Sequence, residues 1–214
     1  QANELALNAQ KLTLQEKRLA FLLMALVRKD DEDFKTYYMP ITDVLSYLGL
    51  NKGKSLYGRL RGICKRFMGR VIELDDSVGG TLLIHWVDRF YFMPKGHRDN
   101  PLNTSCLQMR LHVDMKPLLL NLKERFGSIA FRQFAHMDSF TSIRLAEILF
   151  YSSFGLQKKS VYYDLEDLKR RLSLEGKYNN FAFFRREVLE RAQKEYEGIG
   201  PFLFTWETKK DGRK

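Results

Sequence analysis

Arginine, asparagine and glutamine recur near the end of the chain, in the segment KYNNFAFFRREVLERAQKEYE at residues 177–197. These side chains form paired hydrogen bonds with base edges in the major groove of duplex DNA. At about 100° per residue, one side of a helix over this segment carries a mixed polar set: Asn179, Ala182, Phe183, Arg186, Glu190 and Gln193. The segment is therefore a candidate for base recognition.

The opposite side of the same helix is apolar. Its members recur at i, i+3, i+7, i+11 and i+15, which is typical of a helix that packs on a core: Phe181, Phe184, Val188, Ala192 and Tyr196. A solvated helix face that happens to carry arginine and glutamine would show the same pattern. Features elsewhere in the chain are needed to distinguish between these interpretations.

The composition favours a polyanionic partner. The 214 residues include 36 Lys+Arg against 26 Asp+Glu, which gives a formal charge of +10 and a pI near 9.6. With 44% hydrophobic residues, the chain can bury one large core or two small ones. A positive field of this size attracts nucleic acid without indicating which kind.

No motif for catalysis is present in the sequence. The four histidines are far apart, so they do not form the metal-binding pair around one apolar residue that a rolling-circle nicking initiator needs: His85, His97, His112 and His136. Walker A, HExxH and GxSxG motifs are also missing. We predict no catalytic residue, no metal site and no cofactor.

The two cysteines and the apolar run at 19–27 indicate where in the cell the protein is found. Cys64 and Cys106 form no CxxC pair and are predicted to be free thiols in a reducing compartment. The apolar run is too short to span a bilayer, and RKDDED follows it without a cleavage site for a signal peptide. We expect a cytoplasmic protein with no membrane partner.

Two helices in the first half form a predicted helix-turn-helix. A short helix over 42–49 is followed by one over 53–68, whose buried stripe contains Leu60, Ile63 and Phe67. The opposite face carries Lys54, Arg61 and Lys65, which we predict to contact DNA. Gly58 and Gly62 on that face indicate either the close approach of a backbone or a partner, or mere tolerance of glycine within a helix.

Strands follow this helix-turn-helix, as in the wing of a winged helix. Residues 70–74, the turn DDSVGG and residues 81–93 predict a hairpin, and residues 106–113 predict a third strand. The strands over 81–93 and 106–113 are unusually apolar. As exposed sheet edges they would form a dimer interface.

The second half repeats this order of elements. A helix after Ser139 or Thr141, a strand at SVYY and a helix capped by Asp164 are predicted before the helix at 181–196. Ile41 to Leu50 matches Leu165 to Leu174 at one offset, since 165 − 41 = 124 and 174 − 50 = 124. We therefore predict an α+β fold of two tandem winged-helix domains, with residues 1–126 for dimerisation and DNA backbone contacts and residues 127–214 for most base recognition.

The N-terminal segment and the C-terminal wing complete this scheme. Thr13 and Glu16 form a predicted capping box for a helix that should be deeply buried or lie between the domains. Residues 202–208 are predicted as the first strand of the second wing. The DNA-binding residues predicted in the second domain are Lys177, Asn179, Asn180, Arg185, Arg186, Gln193, Lys209, Lys210 and Arg213.

These segments together resemble the initiator Rep proteins of iteron-containing plasmids. The resemblance lies in Asn3 with LTLQEKRLAFLLMAL, in TSIRLAEILF, in residues 165–174, and above all in residues 177–197 with FTWETKKDGRK after them. It implies tandem winged helices that bind repeated duplex sites at an origin as monomers, dimers that repress at an inverted repeat, and contacts with host replication proteins (initiator, helicase). It also implies that FFRREVL enters the major groove and that Arg186 contacts a base.

The sequence departs from the family pattern in two places. Glu187 stands where a third basic residue is common, and the chain ends at Lys214, before the return strand of the second wing. We expect a longer natural product on that account. Two alternatives stay open, a winged-helix transcriptional regulator without a role in initiation and a winged-helix protein-interaction module. A footprint of about 20 bp favours the initiator, and weak, salt-insensitive DNA binding favours the interaction module.

Overall fold

The computed structural model describes residues 11–27, 36–50, 53, 55–75, 78–115, 118–119, 136–154, 160–199 and 203–209. In the first half these residues form α1 (Leu14–Leu26), β1 (Tyr37–Pro40), α2 (Ile41–Tyr47), α3 (Leu56–Met68), β2 (Val71–Asp75), β3 (Thr81–His85), β4 (Val87–Met93) and β5 (Cys106–Leu111). In the second half they form α4 (Phe140–Phe154), α5 (Leu165–Arg171) and α6. Helix α6 consists of three contiguous segments, Phe181–Phe184, Arg185–Glu190 and Arg191–Tyr196.

Helix α1 begins at the predicted capping box. The Thr13 hydroxyl accepts from the Glu16 backbone N–H at 3.3 Å, and the Glu16 carboxylate accepts from the Thr13 N–H at 2.9 Å. Every residue from Glu16 to Met24 is buried, including the charged ones. The prediction of a deeply buried helix is therefore confirmed, because the apolar residues of α1 cover its whole circumference.

The internal repeat is a structural repeat. Helices α2 and α5 occupy residues 41–47 and 165–171, which are related by the offset of 124. Each ends in the same turn: the Leu50 N–H donates to Leu45 O, and the Leu174 N–H donates to Lys169 O, both at 2.8 Å. This bond from residue i to i−5 is that of a Schellman C-cap. The turn needs a left-handed residue, and Gly49 at φ 72° and Ser173 at φ 58° occupy equivalent positions.

The predicted hairpin is present, but its second strand is shorter than expected. Strands β2 and β3 pair antiparallel from Val71↔His85 to Asp75↔Thr81. At Trp86 the chain leaves this hairpin, and β4 joins a separate sheet of order β1-β5-β4. The Trp86 side chain is 2% exposed and lies 5.7 Å from the Phe67 ring. Residues 81–93 therefore form two strands, since burial of this indole turns the chain from one sheet to the other.

The third predicted strand lies in the middle of its sheet. Strand β5 pairs with β1 on one side and β4 on the other. The expectation that this segment is an exposed edge is therefore wrong, and its apolar character follows from burial between two neighbours. Strands β2 and β3 form a sheet of their own, and the hairpin exposes Val71, Leu82 and Leu83.

Two hydrophobic cores meet at α4. Ile143, Ala146 and Phe150 on this helix belong to the large core that contains α1 and the first-half elements. Leu145 and Ile148 belong to a smaller core with α5 and α6. The smaller core is completed by Leu172, Leu174, Phe184, Val188, Leu189 and Ala192. Helix α4 is thus shared by both halves of the molecule.

Charged residues of α1 connect the two halves. Lys17 Nζ lies 2.7 Å from Glu147 Oε1 on α4, and both side chains are buried. Arg18 donates to Leu48 O at 3.1 Å and to Met137 O at 3.0 Å. Burial lowers the pKa of Lys17 to about 8, although Glu147 opposes the shift. These contacts tie α1 to the end of α2 and to the start of the second half.

In the described residues of the second half, the predicted helix start at Ser139 is present, but two predicted strands are not. Ser139 lies at the start of α4, where its hydroxyl accepts from the Ser142 N–H at 3.4 Å. The strand predicted at SVYY is absent, because residues 160–163 are irregular. Of the wing strand predicted at 202–208, the described residues 203–208 are also irregular. The proposed domain boundary at 126 lies outside the described residues.

Candidate nucleic-acid interface

Helix α6 is set on the second core by a cap at its start. The Asn180 side chain accepts from the Ala182 N–H at 2.8 Å, which satisfies one of the donors that a helix N-terminus leaves unpaired. Tyr178 precedes it with a φ of 54°, a left-handed value that is uncommon outside glycine. The exposed side chains of Lys177 and Asn179 flank this turn. The N-terminus of α6 is therefore presented to solvent on a fixed turn.

A π-helical segment lies in the middle of α6. Residues Arg185–Glu190 are π-helical, so each turn there contains more residues than in an α-helix. Val188 and Leu189 are consequently both buried. Gln193, predicted on the outer face, is half-buried, and its Nε2 donates to Phe204 O at 3.1 Å. The sequence pattern could not show this, because it assumes one constant period.

Two exposed arginines on the π-helical segment each contact a carboxylate of the same helix. Arg185 Nε lies 3.1 Å from Glu190 Oε1, and Arg186 Nε lies 2.8 Å from Glu187 Oε1. The side chains of Arg185 and Arg186 are 49% and 62% exposed. Exposed pairs of this kind are weak, so either guanidinium can exchange its partner for a nucleic acid. Glu187 thus neutralises part of the charge at this position.

Phe183 lies beside Arg186 on the same surface. Its side chain is 52% exposed, and the Arg186 guanidinium carbon is 5.3 Å from the ring centroid. Phe184, the next residue, is 1% exposed and belongs to the smaller core. The two phenylalanines therefore have different roles. Phe183 lay on the outer face in the sequence pattern but was not among the predicted DNA-binding residues.

The segment 203–209 runs against the C-terminal part of α6. Phe204 packs on Tyr196 with ring centroids 6.1 Å apart, in addition to accepting from Gln193. Lys209 lies over the Tyr162 ring at 4.8 Å from the centroid and donates to its hydroxyl at 3.4 Å. Exposed Lys209 therefore has a defined position beside Tyr162. Lys210 and Arg213 lie outside the described residues.

The first helix-turn-helix places two of its three predicted residues on the surface. Arg61 and Lys65 are exposed on α3, while Leu60, Ile63 and Phe67 are buried, as the stripe predicts. Lys54 lies outside the described residues. A Cβ at Gly58 would come within 2.7 Å of the Ser55 hydroxyl, a side-chain group that can rotate away, so both explanations of this glycine remain.

Within the described ranges, no group of three His, Cys, Asp or Glu side chains could hold a metal ion. Cys64 and Cys106 are buried free thiols, as predicted, and burial raises the pKa of Cys64 to about 12. Among the described helices, none has the length and apolar character needed to cross a bilayer.

Family models match nearly the whole chain. Residues 1–150 match the model described as Initiator Replication protein, WH1, and residues 164–214 match Initiator Rep protein, WH2. No curated protein sequence matches significantly. The family matches argue against both alternatives considered from the sequence, the regulator without a role in initiation and the interaction module.

Solved structures show the same fold. One is described as the Pi initiator protein in complex with iteron DNA; it is 18% identical, has a TM-score of 0.69, and the match covers 99% of this chain and 91% of that one. A structure of domains 2 and 3 of RctB is 13% identical with a TM-score of 0.54, over 86% of this chain and 69% of that one. Both support the α+β architecture. The chain belongs to the initiator Rep family: it is a DNA-binding replication initiator built from two winged-helix domains, and not an enzyme.

Proposed function

We propose that this initiator binds repeated duplex DNA sites, or iterons, at a plasmid origin, and that α6 makes most of the base contacts. The observation that carries the proposal is the exposed pair Arg185 and Arg186 on a helix that the second core holds in place. A recognition helix needs such a rigid base, because base contacts require exact placement of the donors. The Pi initiator, which shares the fold, was crystallised with iteron DNA.

The predicted site residues divide into three roles in this proposal. Arg186 contacts a base, since its guanidinium can donate to both O6 and N7 of a guanine. Lys177, Asn179, Lys209, Lys210 and Arg213 contact phosphates from the turn and the wing. Asn180 and Gln193 already have partners in the protein, so we assign them the further role of fixing α6 and the wing segment. Arg185 contacts the backbone of the DNA.

The first half has a supporting role. Arg61, Lys65 and Lys54 on or before α3 contact phosphates, and we place the domains at 1–126 and 127–214. The exposed apolar side chains of the β2–β3 hairpin, Val71, Leu82 and Leu83, favour a homodimer formed through this half in the absence of origin DNA. Such a dimer would repress its own promoter at an inverted repeat.

We also propose partners among the host replication proteins, and membership of the initiator family supports this proposal. An initiator that acts at an origin has to recruit the host machinery, so we propose contacts with the host initiator and helicase. The site of action is the bacterial cytoplasm. A pull-down from host extract with origin-bound protein measures these contacts directly, and capture of neither host protein would remove this part of the proposal.

The central experiment is an electrophoretic shift on the repeats of the cognate origin across a salt series. We expect tight binding to the cognate repeat and much weaker binding to a scrambled duplex of equal length. Neutralisation of about 6 to 10 phosphates should lower the affinity by about 10³ to 10⁵ between 50 and 200 mM salt. Equal affinity for both duplexes at every salt concentration would contradict the proposal.

A further inference from the structure

Phe183 is a large apolar side chain on the surface that α6 offers to DNA. It is 52% exposed and belongs to neither hydrophobic core among the described residues. Its neighbours on this surface are Ala182 and Arg186, both exposed. A smaller residue at position 183 should therefore leave both cores intact, and the exposed ring is available to contact a partner outside the chain.

The distance to Arg186 defines what the ring could reach. The Arg186 guanidinium carbon lies 5.3 Å from the ring centroid, within the range of a cation–π contact. Successive base pairs of B-DNA are separated by about 3.4 Å. A guanidinium of Arg186 that contacts a guanine would therefore leave the ring of Phe183 within reach of an adjacent base pair.

The chemistry of the major groove then selects a base. Thymine alone among the four bases carries a methyl group there, on C5, and apolar side chains such as phenylalanine contact it. An aromatic ring has no hydrogen bond to donate to a phosphate, whereas contact with a methyl group removes apolar surface of both partners from water. The ring therefore contributes affinity only where a thymine is present.

We propose that Phe183 is a specificity-determining residue that contacts the 5-methyl group of a thymine next to the guanine bound by Arg186. This inference rests on the proposed function of α6. The pair acts as one unit in which the guanidinium recognises guanine and the ring recognises the adjacent thymine. The cognate repeat should accordingly contain a GT or TG step at this position, or a GA or AG step where the thymine lies on the opposite strand.

The test replaces each thymine of the cognate repeat in turn by uracil, which lacks only the methyl group. One position should lower the affinity of the wild-type protein about fourfold, the factor expected for one buried methyl group. Phe183→Ala and Phe183→Gln should bind the thymine and uracil duplexes equally well at that position. Both variants should fold, because the side chain is exposed, and circular dichroism checks this.

Two results would overturn the inference. One is a wild-type protein that binds every uracil duplex as tightly as the parent repeat. The other is a uracil penalty that survives unchanged in both Phe183 variants, since another residue would then contact the methyl group. Failure of the wild-type protein to distinguish the cognate repeat from the scrambled duplex would instead contradict the proposed function, so the two failures are distinguishable.

Discussion

Arg185 and Arg186 are neighbours in sequence, yet their contacts in the free protein differ. The π-helical turn brings Glu190 near Arg185, five residues away, while Arg186 contacts its immediate neighbour Glu187 and the ring of Phe183. Arg186 is also the more exposed of the two. The guanidinium of Arg186 is thus the better placed to enter a groove.

The first prediction separates base recognition from phosphate contact. Arg186→Ala should weaken binding to the cognate repeat by about 1–3 kcal/mol and binding to scrambled duplex much less. Replacement of Lys209, Lys210 and Arg213 together by alanine should weaken both alike and lower the salt slope by up to about three. Binding of each variant to both duplexes across a salt series is the measurement. An equal loss on both duplexes for Arg186→Ala would show that α6 recognises no base through this residue.

The second prediction concerns Glu187, whose carboxylate contacts Arg186 at 2.8 Å. Glu187→Gln removes a negative charge that repels phosphates, so affinity for cognate and scrambled duplexes should rise together, by about two- to fivefold. Competition binding at low salt measures both affinities, and Asp99→Asn, whose exposed carboxylate likewise contacts the adjacent Arg98 but lies in the first half, is the matched control. A fall in cognate affinity alone would mean that Glu187 accepts a hydrogen bond from a cytosine.

At the scale of elements, local patterns predicted most of the molecule. The capping box at Thr13, the cap at Asp164, the stripe of α3 and the repeat at offset 124 all depend on residues close in sequence. The features that the sequence did not predict depend on contacts between residues distant in sequence. Burial of Trp86 divides the strand at 81–93, and β5 is central only because β1 pairs with it from 66 residues or more away. The π-helical turn was missed because a constant helical period does not include it.

A third prediction tests the ionic contacts between α1 and α4. Glu147 accepts from Arg144 at 2.6 Å and from Lys17 at 2.7 Å, and all three are buried. Glu147→Leu removes the shared anion from two buried cations and should lower the free energy of unfolding by about 3–5 kcal/mol. Lys17→Met should lower the free energy of unfolding by less, because Glu147 keeps its contact with Arg144.

Urea denaturation of the single variants and the double variant measures these differences. The double variant should be more stable than Glu147→Leu alone. In the double variant only Arg144 is left buried without the carboxylate of Glu147, whereas in Glu147→Leu both Arg144 and Lys17 are. A double variant that is less stable than Glu147→Leu would show that Lys17 stabilises the protein mainly through its aliphatic packing.

The pH dependence of stability follows from the same lysine. Lys17 has a pKa of about 8 in the folded protein against 10.5 in its ordinary state, because burial disfavours the charged form. Between these values the unfolded chain binds one proton more than the folded chain, so rising pH favours folding. The free energy of unfolding of the wild type should therefore rise relative to Lys17→Met from pH 8 to 10.5. A constant difference over this window would contradict the assignment.

At the scale of the whole molecule, the fifth prediction concerns assembly through the β2–β3 hairpin. Leu83 is 63% exposed, so Leu83→Lys should leave the fold intact while it removes apolar surface from the proposed dimer interface. Light scattering without DNA should show dimers for the wild type and monomers for this variant. Val113→Lys is the control, since Val113 is 61% exposed but lies outside the hairpin. Dimers that persist in Leu83→Lys would place the interface elsewhere.

Helix α4 also constrains how such an initiator can change its specificity during evolution. Its two faces complete two cores, with Ile143 and Phe150 in one and Ile148 in the other. A recombinant that joined the first half of one relative to the second half of another would inherit a helix matched to only one of its cores. The outer face of α6 is not constrained in this way, since among the described residues Phe183 and Arg186 lie in neither core. New iteron sequences should therefore be acquired by single substitutions on that face more often than by exchange of whole halves.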